Sequence, residues 1–328
     1  MVNVKEDNVF DAYNNKIDLF KHEIYSHASN EEWIADPYIG FRLKKLIKKI
    51  DNNTVLNTNY LGLRADNDFY LKNYNTIFLG GSLVYGAFSP SNSSTISSYY
   101  EKIVGLKCLN AGIGGHVLKQ NFSLYFNYLN TVETKKIIIL FGFNDMGNCL
   151  NGKYFHDIKL DIFQKKINLI NEKPIKEGFK LSLSAILKIF KLKKMVSNLI
   201  NKKLKKQKNH TPNMSKYLDE LCSNINFFNN HNKNLKIYFF IQPNLITSKK
   251  RKTNYENQVI QSRQIEKIQF CKNFYTQLNK RTKNISNVFN LENVFDKNED
   301  TIFIDEAHVG DKGNEIIAKK ICKVVNNV

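Results

Sequence analysis

The chain has 328 residues, 42% of them hydrophobic, so it can bury a large core and is neither disordered nor a peptide held by cross-links. Its net charge is +19, but the excess is almost all lysine: arginine occurs only at positions 42, 64, 251, 263 and 281. Lysine and asparagine rise together in AT-rich coding sequence, and phosphate-clamping surfaces lean on the planar arginine fork, so the charge is read as background composition and not as a nucleic-acid footprint.

Five scattered cysteines (Cys108, Cys149, Cys222, Cys271, Cys322) form no C-x-x-C pair. They argue against a disulfide framework and a cysteine zinc site. The first residues carry acids and no apolar h-region, and no apolar run is long enough to span a bilayer, so a soluble cytoplasmic protein is expected.

Residues 1–73 are polar and weakly periodic, and an N-terminal extension of irregular structure is expected there. It holds "DPYIGFRLKK" and "NTNYLGLRAD", each pairing a glycine with an arginine. Gly62 and Arg64 read as a structural turn, with a cation at a pocket as the sharper alternative.

From Tyr74 onward, short apolar runs alternate with helical stretches, the pattern of βαβ units. Strands are expected over Thr76–Leu79, Lys107–Asn110, Lys136–Phe141, Leu235–Ile241 and Asn287–Leu291. Helices are expected over Ser93–Val104, Val117–Asn130, Met214–Asn229, Tyr255–Arg281 and Asp311–Val325. The economical solution is an open five-stranded parallel sheet covered on both faces, with chemistry at the carboxyl ends of its strands.

Residues 151–213 interrupt the alternation. Within them Lys180–Lys208 carries ten lysines and no acid, with Ala185, Ile186, Ile189, Leu192, Val196, Leu199 and Ile200 at helical spacing. This reads as a basic helical insertion flanking the domain; contact with an anionic membrane surface is the less favoured alternative. The run "KKRK" at 249–252 reads as a solvated loop rather than a polyanion patch.

Four short blocks carry candidate chemistry. In "FLGGSLVYG", Ser82 follows two glycines and should open a helix; there it is either a nucleophile near a partial positive charge or a capping serine. "LNAGIGGH" places Gly115 past the second strand, and "FGFND" places Asn144 past the third, where both are oxyanion donors or ordinary turn residues. "DEAHVGDKGNEIIA" sets Asp305 three residues before His308, the spacing of an orienter and its base; a capping aspartate, a surface histidine and a metal pair are its alternatives. No partner metal-binding motif accompanies it. Asp145 reads as a local support for the Asn144 turn. The five remaining histidines, at 22, 27, 156, 210 and 231, have no constellation around them.

Taken together and in this order, the blocks resemble the SGNH (GDSL-type) hydrolase family over residues 74–328. The resemblance implies a flavodoxin-like three-layer α/β/α sandwich. It implies Ser82 as nucleophile, His308 as base and acid, Asp305 as its orienter, an oxyanion hole from Ser82, Gly115 and Asn144, and no metal or organic cofactor. The usual Gly-Asp-Ser is Gly-Gly-Ser here, with Gly81 in place of the acid. That form, with "FIQPNL" after the fourth strand and "NYLGLRAD" upstream, is similar to the branch met in bacterial surface-polysaccharide gene clusters. His116 and Gln242 stand as possible pocket-rim residues. The expected activity is hydrolysis of a small acyl ester, an O-acetyl group on a carbohydrate. The alternatives are acyl transfer at the same site, a phospholipid ester as substrate, and a non-catalytic polyanion-binding module.

Overall fold

The computed structural model describes residues 33–50, 53–65, 74–155 and 213–326. All but the two ends of the expected basic insertion, including Lys180–Lys208 and its alternative membrane contact, lies outside the described residues.

Five strands form one parallel sheet: β5 (Thr76–Gly80), β6 (Cys108–Gly112), β7 (Lys136–Phe141), β8 (Lys236–Ile241) and β9 (Val288–Asn290). Their order is β6-β5-β7-β8-β9, and every neighbouring pair is parallel. This is the flavodoxin-like order, whose switch point lies beside β5, where the chain reverses its direction of travel across the sheet. The central strands are apolar at successive positions because both faces are covered. Ile77, Leu79, Ile137, Ile139 and Phe239 point to one layer, formed by α3 (Leu118–Leu124), α5 (Met214–His231) and α7 (Ile265–Thr282). Phe78, Ile138, Leu140, Tyr238 and Phe240 point to the other, formed by α2 (Ile96–Val104) and α8 (Asp311–Asn326). Two short helices, α1 (Ser82–Tyr85) and α4 (Phe143–Leu150), start directly at the ends of β5 and β7. Among the described residues no helix is long and apolar enough to cross a membrane.

The N-terminal region departs from the irregular structure expected of it. Trp33–Asp36 (β1) and Gly40–Leu43 (β2) form one antiparallel hairpin, and Leu46–Ile50 (β3) and Asn53–Thr58 (β4) form another. The first turns at "DPYI", where the Asp36 carboxylate accepts the amides of Tyr38 (3.0 Å) and Ile39 (3.1 Å). Strands of four residues show too little alternation to register as periodic. Ile39 and Phe41 nevertheless enter the main core, and the Ile39 carbonyl accepts Gln120 Nε2 at 2.7 Å.

The helix expected over Tyr255–Arg281 is two helices, α6 (Asn254–Gln261) and α7, broken at Ser262–Gln264. Apolar spacing alone did not reveal the break. There Arg263 swings out to pair with Glu306 at 2.5 Å, and Lys267 of α7 meets the same carboxylate at 2.5 Å.

The "KKRK" run is not simply a solvated loop. Lys250 and Glu256 form an ion pair at 2.5 Å with both side chains fully buried. Glu256 also accepts the amides of Thr253 (3.0 Å), Ile302 (3.1 Å) and Phe303 (3.1 Å), so one carboxylate fixes the segment leading to position 305. Removing one partner of such a pair leaves a buried charge uncompensated. Glu256→Ala is therefore expected to lower unfolding stability by roughly 3–5 kcal/mol, measured by urea denaturation; a loss below about 1 kcal/mol would contradict a buried pair.

Candidate active site

Ser82 is the first residue of α1, directly after the Gly80–Gly81 pair that ends β5. At the first position of a helix its amide has no carbonyl partner within that helix. Position 81 has no room for a side chain. A Cβ at position 81 would lie 2.4 Å from Asn144 Nδ2 and 3.3 Å from the His116 carbonyl. The bare Cα lets the Asn144 amide settle beside the serine.

His308 and Asp305 lie on the turn before α8. Asp305 Oδ1 accepts the amides of Ala307 (2.7 Å) and His308 (2.8 Å), which closes the turn. Its Oδ2 accepts the ring Nδ1–H of His308 at 2.7 Å. With that proton fixed on Nδ1, Nε2 is the acceptor for the Ser82 hydroxyl, 2.5 Å away. The sheet thus brings Ser82, His308 and Asp305, 226 positions apart at the extremes of the serine–histidine contact, into one hydrogen-bonded row.

The row is largely shielded, with the His308 and Asp305 side chains 19% and 17% exposed. Burial by itself would favour the neutral carboxyl of Asp305, but the neighbouring imidazole and the three hydrogen bonds prevail and hold it well below the usual carboxylate range. Burial likewise disfavours the imidazolium of His308, but the Asp305 charge, the hydrogen bond to it and the Glu306 charge together outweigh burial and raise the ring above its ordinary 6.5. The Phe88 ring packs edge-on against the imidazole, centroids 5.2 Å apart.

Gly115 and Asn144 lie at the ends of the adjoining strands. Gly115 has φ +81°, a left-handed conformation suited to glycine, and it carries no Cβ over its amide. Asn144 Nδ2 donates to the His116 carbonyl at 2.9 Å, which leaves the second N–H of the same amide. Asp145 does more than support its own turn. Its buried carboxylate accepts the amides of Gly142 (3.1 Å) and Leu118 (3.0 Å), clasping the loop after β7 to the loop after β6. Burial pushes this carboxyl up.

The two expected rim residues are not at an exposed rim. His116 is buried because its Nε2–H donates to the Phe41 carbonyl at 3.0 Å and its ring packs edge-on against Phe41. Gln242 is also buried just past β8, its backbone N–H donating to the Phe141 carbonyl at 2.9 Å. Arg64 takes the structural alternative: its guanidinium donates to the carbonyl of Gly86 (2.5 Å) and to Asn92 Oδ1 (2.7 Å), tying the N-terminal region to the loop behind α1. Sequence patterns gave no sign of Trp33 and Phe88 as neighbours of the site, because contacts between distant aromatic residues leave no periodicity.

No family model matches the chain, and no curated protein matches it. Among solved structures, the acetyl xylan esterase AlAXEase aligns at 13% identity and a TM-score of 0.41, over 77% of this chain and 99% of the other. Axe2, an acetylxylan esterase from Geobacillus stearothermophilus, aligns at 13% and 0.36, over 77% and 93%. LAE5, an alpha/beta hydrolase enzyme from the metagenome of Lake Arreo, Spain, aligns at 11% and 0.38, over 78% and 95%.

The charge balance at His308 has a measurable sign. Asp305→Asn removes the leading raising influences and leaves burial, the largest influence, which lowers, against the smaller raising charge of Glu306. An NMR pH titration is expected to place the native imidazole midpoint above 6.5 and the Asp305→Asn midpoint below it. Equal midpoints would show that the carboxylate does not govern the ring.

Proposed function

We propose that the chain is a serine esterase that hydrolyses a small acyl ester, with an O-acetyl group on a carbohydrate as its substrate. One observation carries the catalytic part: the imidazole of His308 bridges the Ser82 hydroxyl at 2.5 Å and the Asp305 carboxylate at 2.7 Å. The carbohydrate part rests on the Gly-Gly-Ser sequence resemblance.

In this reading the Ser82 hydroxyl gives its proton to His308 Nε2 as Oγ attacks the ester carbonyl. The Asp305 charge stabilises the imidazolium that forms. The negative charge on the former carbonyl oxygen is met by the amides of Ser82 and Gly115 and by the second N–H of Asn144. The imidazolium then protonates the leaving alcohol as the C–O bond breaks. Water, deprotonated by the same nitrogen, attacks the acyl-serine, releasing the acid and restoring the hydroxyl. Every proton moved starts or ends at Nε2, which is why the Nδ1 proton must stay on Asp305's side.

The base form of His308 is neutral, so activity is expected to rise with pH through a midpoint above 6.5 and to be lost below it as the ring protonates. A fluorophosphonate probe is expected to label the native protein stoichiometrically at Ser82 and to leave Ser82→Ala unlabelled; labelling elsewhere, or none, would remove the nucleophile. Asn144→Ala is expected to lower kcat on p-nitrophenyl acetate by about 10²–10³ with little change in KM.

A further inference from the structure

Trp33 is the chain's sole tryptophan and belongs to the N-terminal hairpin, more than forty positions before Ser82. Its position is set from several sides. It pairs with Leu43 across the hairpin, and its ring meets Phe41 edge-on, centroids 5.4 Å apart. It is partly buried and packs against both the main core and the small apolar cluster of Leu43, Leu56, Tyr85, Ala87, Phe88 and Ile304.

Three members of that cluster adjoin the serine and the histidine. Tyr85 is in the helix that Ser82 opens, Phe88 touches His308, and the Ile304 amide donates to the His308 carbonyl at 2.9 Å. Gly114 links Trp33 to the nucleophile. A Cβ placed on Gly114 would lie 3.3 Å from Trp33 Cη2, 3.7 Å from Trp33 Cζ2 and 3.9 Å from Ser82 Cβ. The far edge of the indole and the base of the serine side chain therefore face one point, beside the Gly115 amide. The space between them is about the width of one methyl group.

We propose that Trp33 is a specificity-determining residue, the wall that closes the acyl side of the Ser82 pocket and restricts the ester to acetyl-sized groups. This deepens the esterase reading and rests on it. The chemistry is steric. A two-carbon acyl group on Ser82 Oγ ends short of the indole edge, and each further methylene runs into a ring that Phe41 braces from behind. The N-terminal hairpin thereby supplies a part of the substrate site that the sheet domain lacks.

Two measurements test the wall. Relative kcat/KM on p-nitrophenyl acetate, butyrate and hexanoate reads it directly. The native protein is expected to favour acetate. Trp33→Ala is expected to reduce the acetate-to-hexanoate preference by about tenfold or more, and Trp33→Phe to keep most of it. A purely structural tryptophan would lower all three substrates together and leave the ratio fixed, which would overturn the proposal.

The second measurement needs no variant at position 33. Methylphosphonofluoridate monoethyl ester phosphonylates a serine Oγ with loss of fluoride, and mass spectrometry counts the adduct. With a single tryptophan, the emission reports Trp33 alone. Stoichiometric labelling is expected to shift that emission, with no shift in Ser82→Ala. Labelling without a shift overturns the wall and spares the nucleophile; absence of labelling removes both.

Discussion

The Asp305 carboxylate is the constraint on which the site depends. Burying a charged carboxylate costs several kcal/mol unless its lone pairs are satisfied. Here two backbone amides and one imidazole N–H satisfy them, each a charge-assisted bond of about 1.5–3 kcal/mol. The same bonds fold the turn, choose the imidazole tautomer and aim Nε2 outward. Turn geometry and proton location are thus one event, and a histidine three residues after an aspartate needs no other element to be oriented.

Orientation within the turn is not enough, because the turn itself must be held against β5. The strip from 302 to 306 is bonded along its length. Glu256 takes the amides of Ile302 and Phe303, Tyr255 donates its hydroxyl to the Ile304 carbonyl at 2.6 Å, and the Glu306 carbonyl accepts the Leu245 amide at 3.0 Å. The Glu306 side chain holds Arg263 and Lys267. This accounts for the break between α6 and α7. With the break, Tyr255 and Glu256 of α6 reach residues 302–304 while Arg263 at the break and Lys267 of α7 reach Glu306. The fully buried Lys250–Glu256 pair anchors the arrangement from beneath.

Much of this was legible in the sequence, and the reasons differ from element to element. The central strands were visible because parallel strands buried on both faces read as unbroken apolar runs; "KKIIILFGF" became β7 with its expected boundaries. Asp305 and His308 were visible because their interaction is local, and Ser82 because a glycine pair at a strand end is conspicuous. The two hairpins were hidden by their shortness and the break at Ser262 by continuous apolar spacing. The burial of His116 and Lys250 was hidden because it depends on partners distant in the chain or on a fold back through Glu256. A buried lysine and a solvated one look alike in a lysine-rich composition; only the carboxylate facing it tells them apart.

The change of sequence pattern at residue 74 marks a change of secondary structure and not a boundary of packing. Ile39 and Phe41 sit in the same core as Ile77 and Leu118. Arg64 bonds the loop that follows α1, and His116 and Gln120, on either side of the Asp145 clasp, bond the carbonyls of Phe41 and Ile39. The clasp joins the loop of Gly115 to the loop of Asn144, so the hairpin braces the first loop from outside while Asp145 ties it to the second from inside. A parallel sheet gathers loop ends at one edge but does not fix their spacing. In this chain the Asp145 clasp sets that spacing, and a segment that precedes the sheet steadies the Gly115 loop, which joins the described part of the N-terminal region to the site.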